Sequence, residues 1–205
     1  MKIIANQLSK RFNREWIFRN FTYEFVTGKT YALVGPNGSG KSTLLQVLFG
    51  QMPPSKGTVL YSNEKNRILD AEVYQHISIA APYMELIDEF TLEEMVSFHF
   101  SFKSVREKAT LAEVIEKMEL QDARKKVISN FSSGMRQRLK LALAFFSQSE
   151  VFFLDEPTTN LDAKSIDWYW KNLTPILDKS IIIIASNQAT EYPQTAENID
   201  ILNYK

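Results

Sequence analysis

The stretch "TYALVGPNGSGKSTLLQVL", residues 30–48, decides the fold that the sequence predicts. It begins with a short apolar run, continues through a turn with three glycines, and ends in a segment that is expected to be helical. The turn, Gly35 to Thr43, fits the phosphate-loop pattern G-x-x-x-x-G-K-[ST]. A strand that leads through such a turn into a helix is typical of a parallel α/β architecture.

Each fixed position of this loop has a chemical reason. The glycines let the backbone curl so that its N–H groups point inward, and the following helix adds its positive N-terminal end. Lys41 would reach the β- and γ-phosphates, and the Ser42 hydroxyl would bind Mg²⁺. The plain alternative is a glycine-rich turn without a ligand, but the strand before it and the helix after it favour a nucleotide site. The candidate nucleotide-binding residues of the loop are Gly35, Pro36, Asn37, Gly38, Ser39, Gly40, Lys41, Ser42 and Thr43.

Two adjacent carboxylates end a second apolar strand. The stretch "VFFLDEPTTNLD", residues 151–162, runs four apolar residues into Asp155 and Glu156. Beside a phosphate loop, such an Asp can hold Mg²⁺ through water, and the next Glu can orient and deprotonate the attacking water. A plain exposed strand end would leave the apolar run unexplained. We therefore expect Asp155 and Ser42 to be metal ligands, and Glu156 and Lys41 to be catalytic.

Further apolar runs are continuous rather than alternating, as expected for strands that are buried on both faces of a parallel sheet. The segment 21–33 differs, because two β-rich runs joined by Thr-Gly-Lys suggest a hairpin at an antiparallel edge. Residues 84–130 contain no convincing strand, and a capping box of Thr91 with Glu94 starts a helix there. Strands are expected at 30–34, 150–154 and 180–186, and helices at 41–49, 133–147 and 163–177.

A second anion-binding surface is expected at the start of the helix 133–147. Ser132, Ser133 and Gly134 would offer hydroxyls, a flexible backbone and free helix N–H groups. One triphosphate has little use for two such surfaces from one chain. In a head-to-tail dimer, each serine-glycine turn would instead cover the γ-phosphate that is bound to the other subunit.

Four motifs stand in the order and spacing of a known family: the phosphate loop, "FSSGMRQR", "FFLDEP" and "TTNLD". Through these motifs the chain resembles the ATP-binding subunit of an ABC transporter. The resemblance implies an α/β fold with a P-loop NTPase core of ABC ATPase type, an antiparallel β edge and an inserted helical subdomain. It implies one domain, 1–205, with a RecA-like core at about 1–83 and 148–205 and a helical subdomain at about 84–147.

The same resemblance implies ATP and Mg²⁺ as cofactors, and as partners a separately encoded integral membrane subunit and a second copy of this chain or a similar ATPase. The protein would be cytoplasmic and peripheral on the inner face of the membrane. Phe12 corresponds to the aromatic residue that stacks on adenine, although it could equally be a core residue. Asp162 corresponds to the aspartate at the dimer interface, and it could also be the N-cap of the following helix.

Two positions depart from the family pattern. Pro82 stands where the family usually has a Gln that touches Mg²⁺ and senses the membrane partner, so that contact is absent or supplied elsewhere. Asn187 stands where the family usually has a His, and an amide cannot become cationic. Hydrolysis is therefore expected to use Asn187 and to be slow. Neither His76 nor His99 is placed to substitute.

Composition sets the remaining limits. Lys plus Arg and Asp plus Glu are balanced at 24 each, so no overall field attracts nucleic acid, and the run Arg136, Arg138 and Lys140 is expected to be solvated or dimer-facing. With no cysteine, signal peptide or membrane-spanning run, a soluble cytoplasmic chain is expected.

The alternatives to a transporter subunit are a soluble ABC ATPase that acts on ribosomes or nucleic acid, and a slow-hydrolysing ATP switch. An exporter is favoured over an importer, and some of Phe98, Phe100 and Phe102 could contact the transporter.

Overall fold

The computed structural model describes residues 1–63 and 66–205, which form two sheets and a set of helices. The larger sheet is parallel, with strand order β6-β7-β8-β3-β9, and the smaller one is antiparallel, with order β2-β1-β4-β5. The strands are β1 (Lys2–Phe12), β2 (Glu15–Val26), β3 (Thr30–Val34), β4 (Lys56–Ser62), β5 (Arg67–Ile68), β6 (Ile77–Ala80), β7 (Val151–Asp155), β8 (Ile181–Ala185) and β9 (Glu197–Asp200).

The α-helices match the predicted segments closely. The helix predicted to reach residue 177 ends its α-helical part at Leu173 and continues as a 3₁₀ turn over Thr174–Ile176. The capping box of Thr91 and Glu94 is present, and Thr110 with Glu113 forms a second one. The helices are α1 (Lys41–Leu48), α2 (Val73–His76), α3 (Leu92–Phe102), α4 (Leu111–Lys117), α5 (Ser133–Phe146) and α6 (Ala163–Leu173).

The three central parallel strands are buried on both faces. Strands β7 and β8 have no exposed residue, and β3 is buried except at its last position. Their continuous apolar runs can be satisfied only between two layers. One hydrophobic core lies between this sheet and helices α3, α4, α5 and α6, and a second core joins it to α1 and the antiparallel sheet. The two cores fix the ends of the parallel strands, where the candidate site lies.

The predicted hairpin at 21–33 is wrong, although the antiparallel sheet exists. Strand β2 pairs with β1, whereas β3 pairs in parallel with β8 and β9. Between them, Gly28 has a φ of 81° and donates its N–H to the Ser180 carbonyl, which directs the chain into the other sheet. A fully apolar "YALV" gains more by burial on both faces than by pairing at an edge.

Residues 84–130 contribute no strand to either sheet among the described positions, as predicted. They form α3, α4 and 3₁₀ turns, with isolated bridges from Thr91 to Val127 and from Val105 to Ser147. Across residues 1–63 and 66–205, no helix combines the length and the apolar character that a membrane crossing requires.

Candidate functional site

The phosphate loop lies where β3 ends and α1 begins, at the carboxyl edge of the parallel sheet. Gly40 is the N-cap of α1 with a φ of 105°, and no side chain of the described residues caps this helix end. Its N-terminal N–H groups are therefore available to an anion. The loop tip, Pro36 to Gly38, is exposed, whereas the Ser39 hydroxyl is buried and has no hydrogen-bond partner among the described residues. Ser42 and Thr43 lie half-buried in the first turn of α1.

Lys41 is held inside the loop by backbone carbonyls. Its Nζ donates to the Gly35 carbonyl at 2.8 Å and to the Pro36 carbonyl at 3.2 Å, and the side chain is 5% exposed. Burial lowers the Lys41 pKa, and the nearby carboxylates of Glu156 and Asp155 act in the opposite direction. An ammonium group in this position can exchange its hydrogen bonds to loop carbonyls for hydrogen bonds to phosphate oxygens without a large movement of the side chain.

The Asp155 carboxylate is the most unusual polar group of the site. It is 2% exposed, and neither oxygen has a hydrogen-bond partner of acceptable geometry among the described residues. Burial raises its pKa to about 6; the Ser42 hydroxyl beside it lowers the pKa, and the charge of Glu156 raises it. A buried carboxylate without a partner is costly in a ligand-free protein. Together with the Ser42 hydroxyl it is an oxygen donor set of the kind that Mg²⁺ prefers.

Glu156 has a backbone conformation that is rare for a residue with a side chain. Its φ is 44°, and its N–H donates to the Ala185 carbonyl at 2.9 Å, which holds it beside the neighbouring strand β8. Strained backbone of this kind is concentrated at functional sites. The side chain is half-buried and lies close enough to Lys41 and Asp155 to affect the pKa of both.

The segment after Glu156 is fixed by a carboxylate that the sequence analysis missed. Glu191 is completely buried, and one of its oxygens accepts hydrogen bonds from the Thr158 N–H at 2.9 Å and from the Thr158 hydroxyl. The Tyr169 hydroxyl donates to the Glu191 carbonyl at 2.7 Å. The stretch "ATEYP" has the composition of a surface loop, so nothing in the sequence marks Glu191 as a buried partner.

Asn187 reaches the phosphate loop. It follows β8 and is exposed, and its Nδ2 donates to Oδ1 of Asn37 across 150 positions of the chain. The structure therefore brings the predicted catalytic residues Lys41, Glu156 and Asn187 to one edge of the parallel sheet, together with the predicted metal ligand Asp155. They meet there because the strands β3, β7 and β8 are neighbours.

The serine-glycine turn forms a separate surface. Ser132 is the N-cap of α5, and its hydroxyl accepts from the Met135 N–H at 3.2 Å, while Ser133 is exposed. Gly134 packs on the "TTNLD" turn, since a Cβ there would lie 2.9 Å from the Asn160 carbonyl oxygen. The turn lines a cavity of about 390 Å³ together with Asp162. Asp162 is the N-cap of α6 and accepts from the Ser165 N–H at 2.8 Å, so the capping alternative is correct for the single chain.

Phe12 stands at the end of β1 and is 45% exposed, which rules out the core alternative. The Lys10 Nζ lies 5.2 Å from the centre of its ring. Phe12 pairs with Glu15 at the tip of the β1–β2 hairpin, and Ile17 of the same hairpin lies against Gly40. The hairpin that carries Phe12 thus packs beside the phosphate loop.

The basic run of α5 is not a free surface. Arg136 pairs with Asp88 at 2.7 Å, and Lys140 donates to the Pro82 carbonyl at 2.9 Å. Arg138 is 9% exposed and donates to the Ser165 hydroxyl, so the expectation that it is solvated is wrong. Its position over the Trp168 ring, 5.7 Å from the ring centre, keeps it inside the fold.

The two histidines lie away from the phosphate loop, as expected. His76 pairs with Glu150 at 2.6 Å, and His99 contacts the Ser147 hydroxyl at 2.9 Å. Of the aromatic clusters, Trp168 and Tyr169 are buried, whereas Phe98 and Phe102 are 43% and 69% exposed.

Together, the fold and this edge of the sheet define a phosphate-loop nucleotide-binding protein. A family model described as ABC transporter matches residues 18–159. An uncharacterized ABC transporter ATP-binding protein of Bacillus subtilis, YcbN, is 28% identical over 97% of this chain and 65% of its own. The Nod factor export ATP-binding protein I of Burkholderia orbicola is 28% identical over 94% of this chain and 63% of its own. The daunorubicin/doxorubicin resistance ATP-binding protein DrrA of Streptomyces peucetius is 31% identical over 86% and 55%.

Solved structures show the same fold. A putative ABC transporter ATP-binding protein from Pyrococcus furiosus has a TM-score of 0.80 at 24% identity, with 100% of this chain and 99% of that chain covered. A bacterial Atm1-family ABC exporter with ATP bound has a TM-score of 0.80 at 18% identity, over 97% of this chain and 36% of that one.

The chain therefore belongs to the ABC transporter family, and within it to the ATP-binding domains of ABC ATPase type. It spans between 55% and 65% of the length of the three curated relatives named above.

Proposed function

We propose that this chain binds Mg-ATP on the phosphate loop, hydrolyses it, and powers a transporter whose membrane-spanning part is another chain. The observation that carries the proposal is the buried, unpartnered carboxylate of Asp155 beside Ser42 and Lys41. A folded protein keeps such a group where a ligand neutralises it. Membership of the ABC family supplies the nucleotide and the reaction class.

The roles of the side chains follow from their positions. The loop N–H groups and Lys41 would bind the β- and γ-phosphates, and Ser42 and Asp155 would hold the metal, which when bound neutralises charge on the phosphates. Glu156 would accept the proton of the attacking water, since its strained backbone holds it beside Lys41 and Asp155. Asn187 can donate a hydrogen bond to the γ-phosphate or the water but cannot supply positive charge, so we expect slow hydrolysis.

A second copy, or a similar ATPase chain, would complete the site. The loop tip is open to solvent, so a single chain does not enclose a triphosphate. The turn of Ser132, Ser133 and Gly134 lines its own accessible cavity with Asp162. Head-to-tail pairing would place this turn over the partner's γ-phosphate, and Phe12 would stack on adenine.

The membrane partner would dock on the helical region. We propose that residues 84–147 form a helical subdomain on a RecA-like core, 1–83 and 148–205. Phe98 and Phe102 are in ring contact and exposed, and Phe102 and Tyr74 line a groove of about 520 Å³. Docking there would make the chain peripheral on the inner face of the membrane, and two relatives named for export or drug resistance favour an exporter.

Nucleic acid is a weaker candidate as a partner. The three basic residues of α5 are each bound to groups of the same chain, and the net charge is zero. Helix α5 therefore offers no free basic surface for ribosome or DNA contact. A slow ATP switch remains the alternative if Asn187 limits the rate severely.

The test of nucleotide binding is Lys41→Ala, measured with a fluorescent ATP analogue. Loss of the ammonium group should weaken binding by about 100-fold, since it removes a charge-assisted contact and leaves buried phosphate charge unbalanced. Lys179→Ala is the matched control, because this exposed lysine precedes β8 at the opposite edge of the sheet. Equal affinities of Lys41→Ala and the parent chain would refute the proposed site.

A further inference from the structure

The turn after β6 brings a tyrosine to the candidate metal site. Strands β6 and β7 are parallel neighbours with Ala80 opposite Leu154, so residues 81–83 emerge at the edge that carries Asp155. The turn is closed by a hydrogen bond from the Met84 N–H to the Ala81 carbonyl at 3.1 Å. It is the same segment in which Pro82 replaces the glutamine of the family pattern.

The hydroxyl of Tyr83 is buried and lacks a partner. No described residue offers it a hydrogen bond of acceptable geometry, and the two oxygens of Asp155 are in the same condition. The groups are near each other: burial raises the Tyr83 pKa most, the Asp155 charge raises it further, and Gln46 of α1 also lies beside the hydroxyl. A hydroxyl donor and a carboxylate acceptor that lie close together without partners of good geometry need only a small movement to pair.

The rest of Tyr83 is fixed in place. Its ring packs against the core beneath α1, so the hydroxyl is held at a defined position. On the other side of the turn, Lys140 of α5 donates to the Pro82 carbonyl at 2.9 Å and to the Ala81 carbonyl at 3.3 Å. One short turn therefore contacts both the Asp155 site and the helix that begins with the serine-glycine turn.

We propose that the Tyr83 hydroxyl is a positioning group of the Mg-nucleotide site, and that it makes the polar contact that Pro82 cannot make. It would donate to Asp155 or to a water held there, which orients the carboxylate toward the metal. This inference rests on the proposed function.

The test is Tyr83→Phe, which removes one oxygen and keeps the ring. A fluorescent ATP analogue is bound to the protein, Mg²⁺ is titrated, and the concentration at half-saturation of the metal-dependent signal is measured. We expect this concentration to rise about three- to tenfold, the effect of one lost hydrogen bond, while affinity in EDTA stays unchanged. Tyr204→Phe is the control, because that ring packs on Phe21 of β2.

The outcomes separate this inference from the proposed function. If the parent chain fails to bind the analogue, the proposed function is wrong. If the parent binds it and Tyr83→Phe needs no more Mg²⁺, only the inference is overturned. Thermal unfolding in EDTA checks that the variant folds; if it does not, Lys140→Met, which frees the turn and keeps Tyr83, takes its place with the same expected rise.

Discussion

At the residue scale, Gly40 is the position where the phosphate loop tolerates least change. It has a φ of 105°, and a Cβ there would lie 2.5 Å from Cγ2 of Ile17. Gly38 also has a positive φ, 76°, but a Cβ there would meet nothing within 4 Å. Both positions therefore impose backbone strain on any other residue, and only Gly40 adds a collision.

Gly40→Ala should consequently destabilise the protein more than Gly38→Ala. Strain alone costs about 1–2 kcal/mol, and the contact with Ile17 adds roughly 1–3 kcal/mol unless the hairpin moves. Urea unfolding of the two variants measures the difference in the free energy of unfolding. Equal destabilisation would mean that Ile17 yields freely and that the hairpin does not constrain the loop.

Asn187 gives a second prediction at this scale. Its amide already donates to Asn37 of the phosphate loop, so a side chain at this position reaches the nucleotide site. Asn187→His introduces a group that can carry positive charge and should raise the hydrolysis rate about tenfold, with smaller effects on nucleotide affinity. A fast basal rate in the parent chain that the substitution leaves unchanged would contradict this role.

At the scale of elements, helix α3 contains a histidine that links pH to stability. His99 contacts the Ser147 hydroxyl, which itself donates to the Leu143 carbonyl at 2.7 Å, so Nε2 of His99 is the donor. Burial lowers the His99 pKa to about 4, and the charge of Lys103 lowers it further. Arg106, which donates to the Ser147 carbonyl, adds positive charge nearby.

The contribution of His99 to stability should therefore fall as the pH drops, whereas Asp155, whose pKa is raised, makes an opposite contribution in the same range. Between pH 6.5 and about 4 the unfolded chain binds a proton at His99 and the native chain does not, so protonation favours unfolding. His99→Gln keeps a donor for Ser147 and removes the His99 contribution, so on going from pH 6.5 to 4 its unfolding temperature should rise relative to that of the parent chain. His76→Gln retains His99 and should leave that part of the curve unchanged; an unaltered curve in His99→Gln would disprove the assignment.

Elements were predictable where local chemistry decides them. Residue type and spacing alone predict the phosphate loop, the buried strands β7 and β8, and the caps of α3 and α6. The partner of β2 did not, because a Thr-Gly-Lys link suits a hairpin as well as a crossing between sheets. Glu191 and Tyr83 also escaped prediction, since their importance comes from contacts with residues that are distant in sequence.

At the scale of the whole molecule, the phosphate loop and the serine-glycine turn would be the two half-sites of the proposed dimer. The first carries the cation and the carboxylates, and its tip is open to solvent. The second has a capped helix end and an accessible cavity, but its lining contains one carboxylate, Asp162, rather than a pair, and its one cation, Arg138, already donates to Ser165. Head-to-tail pairing of two chains would place the phosphate loop of each chain against the serine-glycine turn of the other, which makes two composite sites. ATP bound in these sites would contact both chains and should therefore hold the subunits together.

The most direct test is the mass in solution of Glu156→Gln with and without Mg-ATP. The substitution removes the proposed base and should preserve the bound state. We expect a monomer without nucleotide and a species of twice the mass of one chain with Mg-ATP, and Lys41→Ala in the same background should remain monomeric. A Glu156→Gln chain that binds ATP and yet stays monomeric would contradict closure of the site by a second copy.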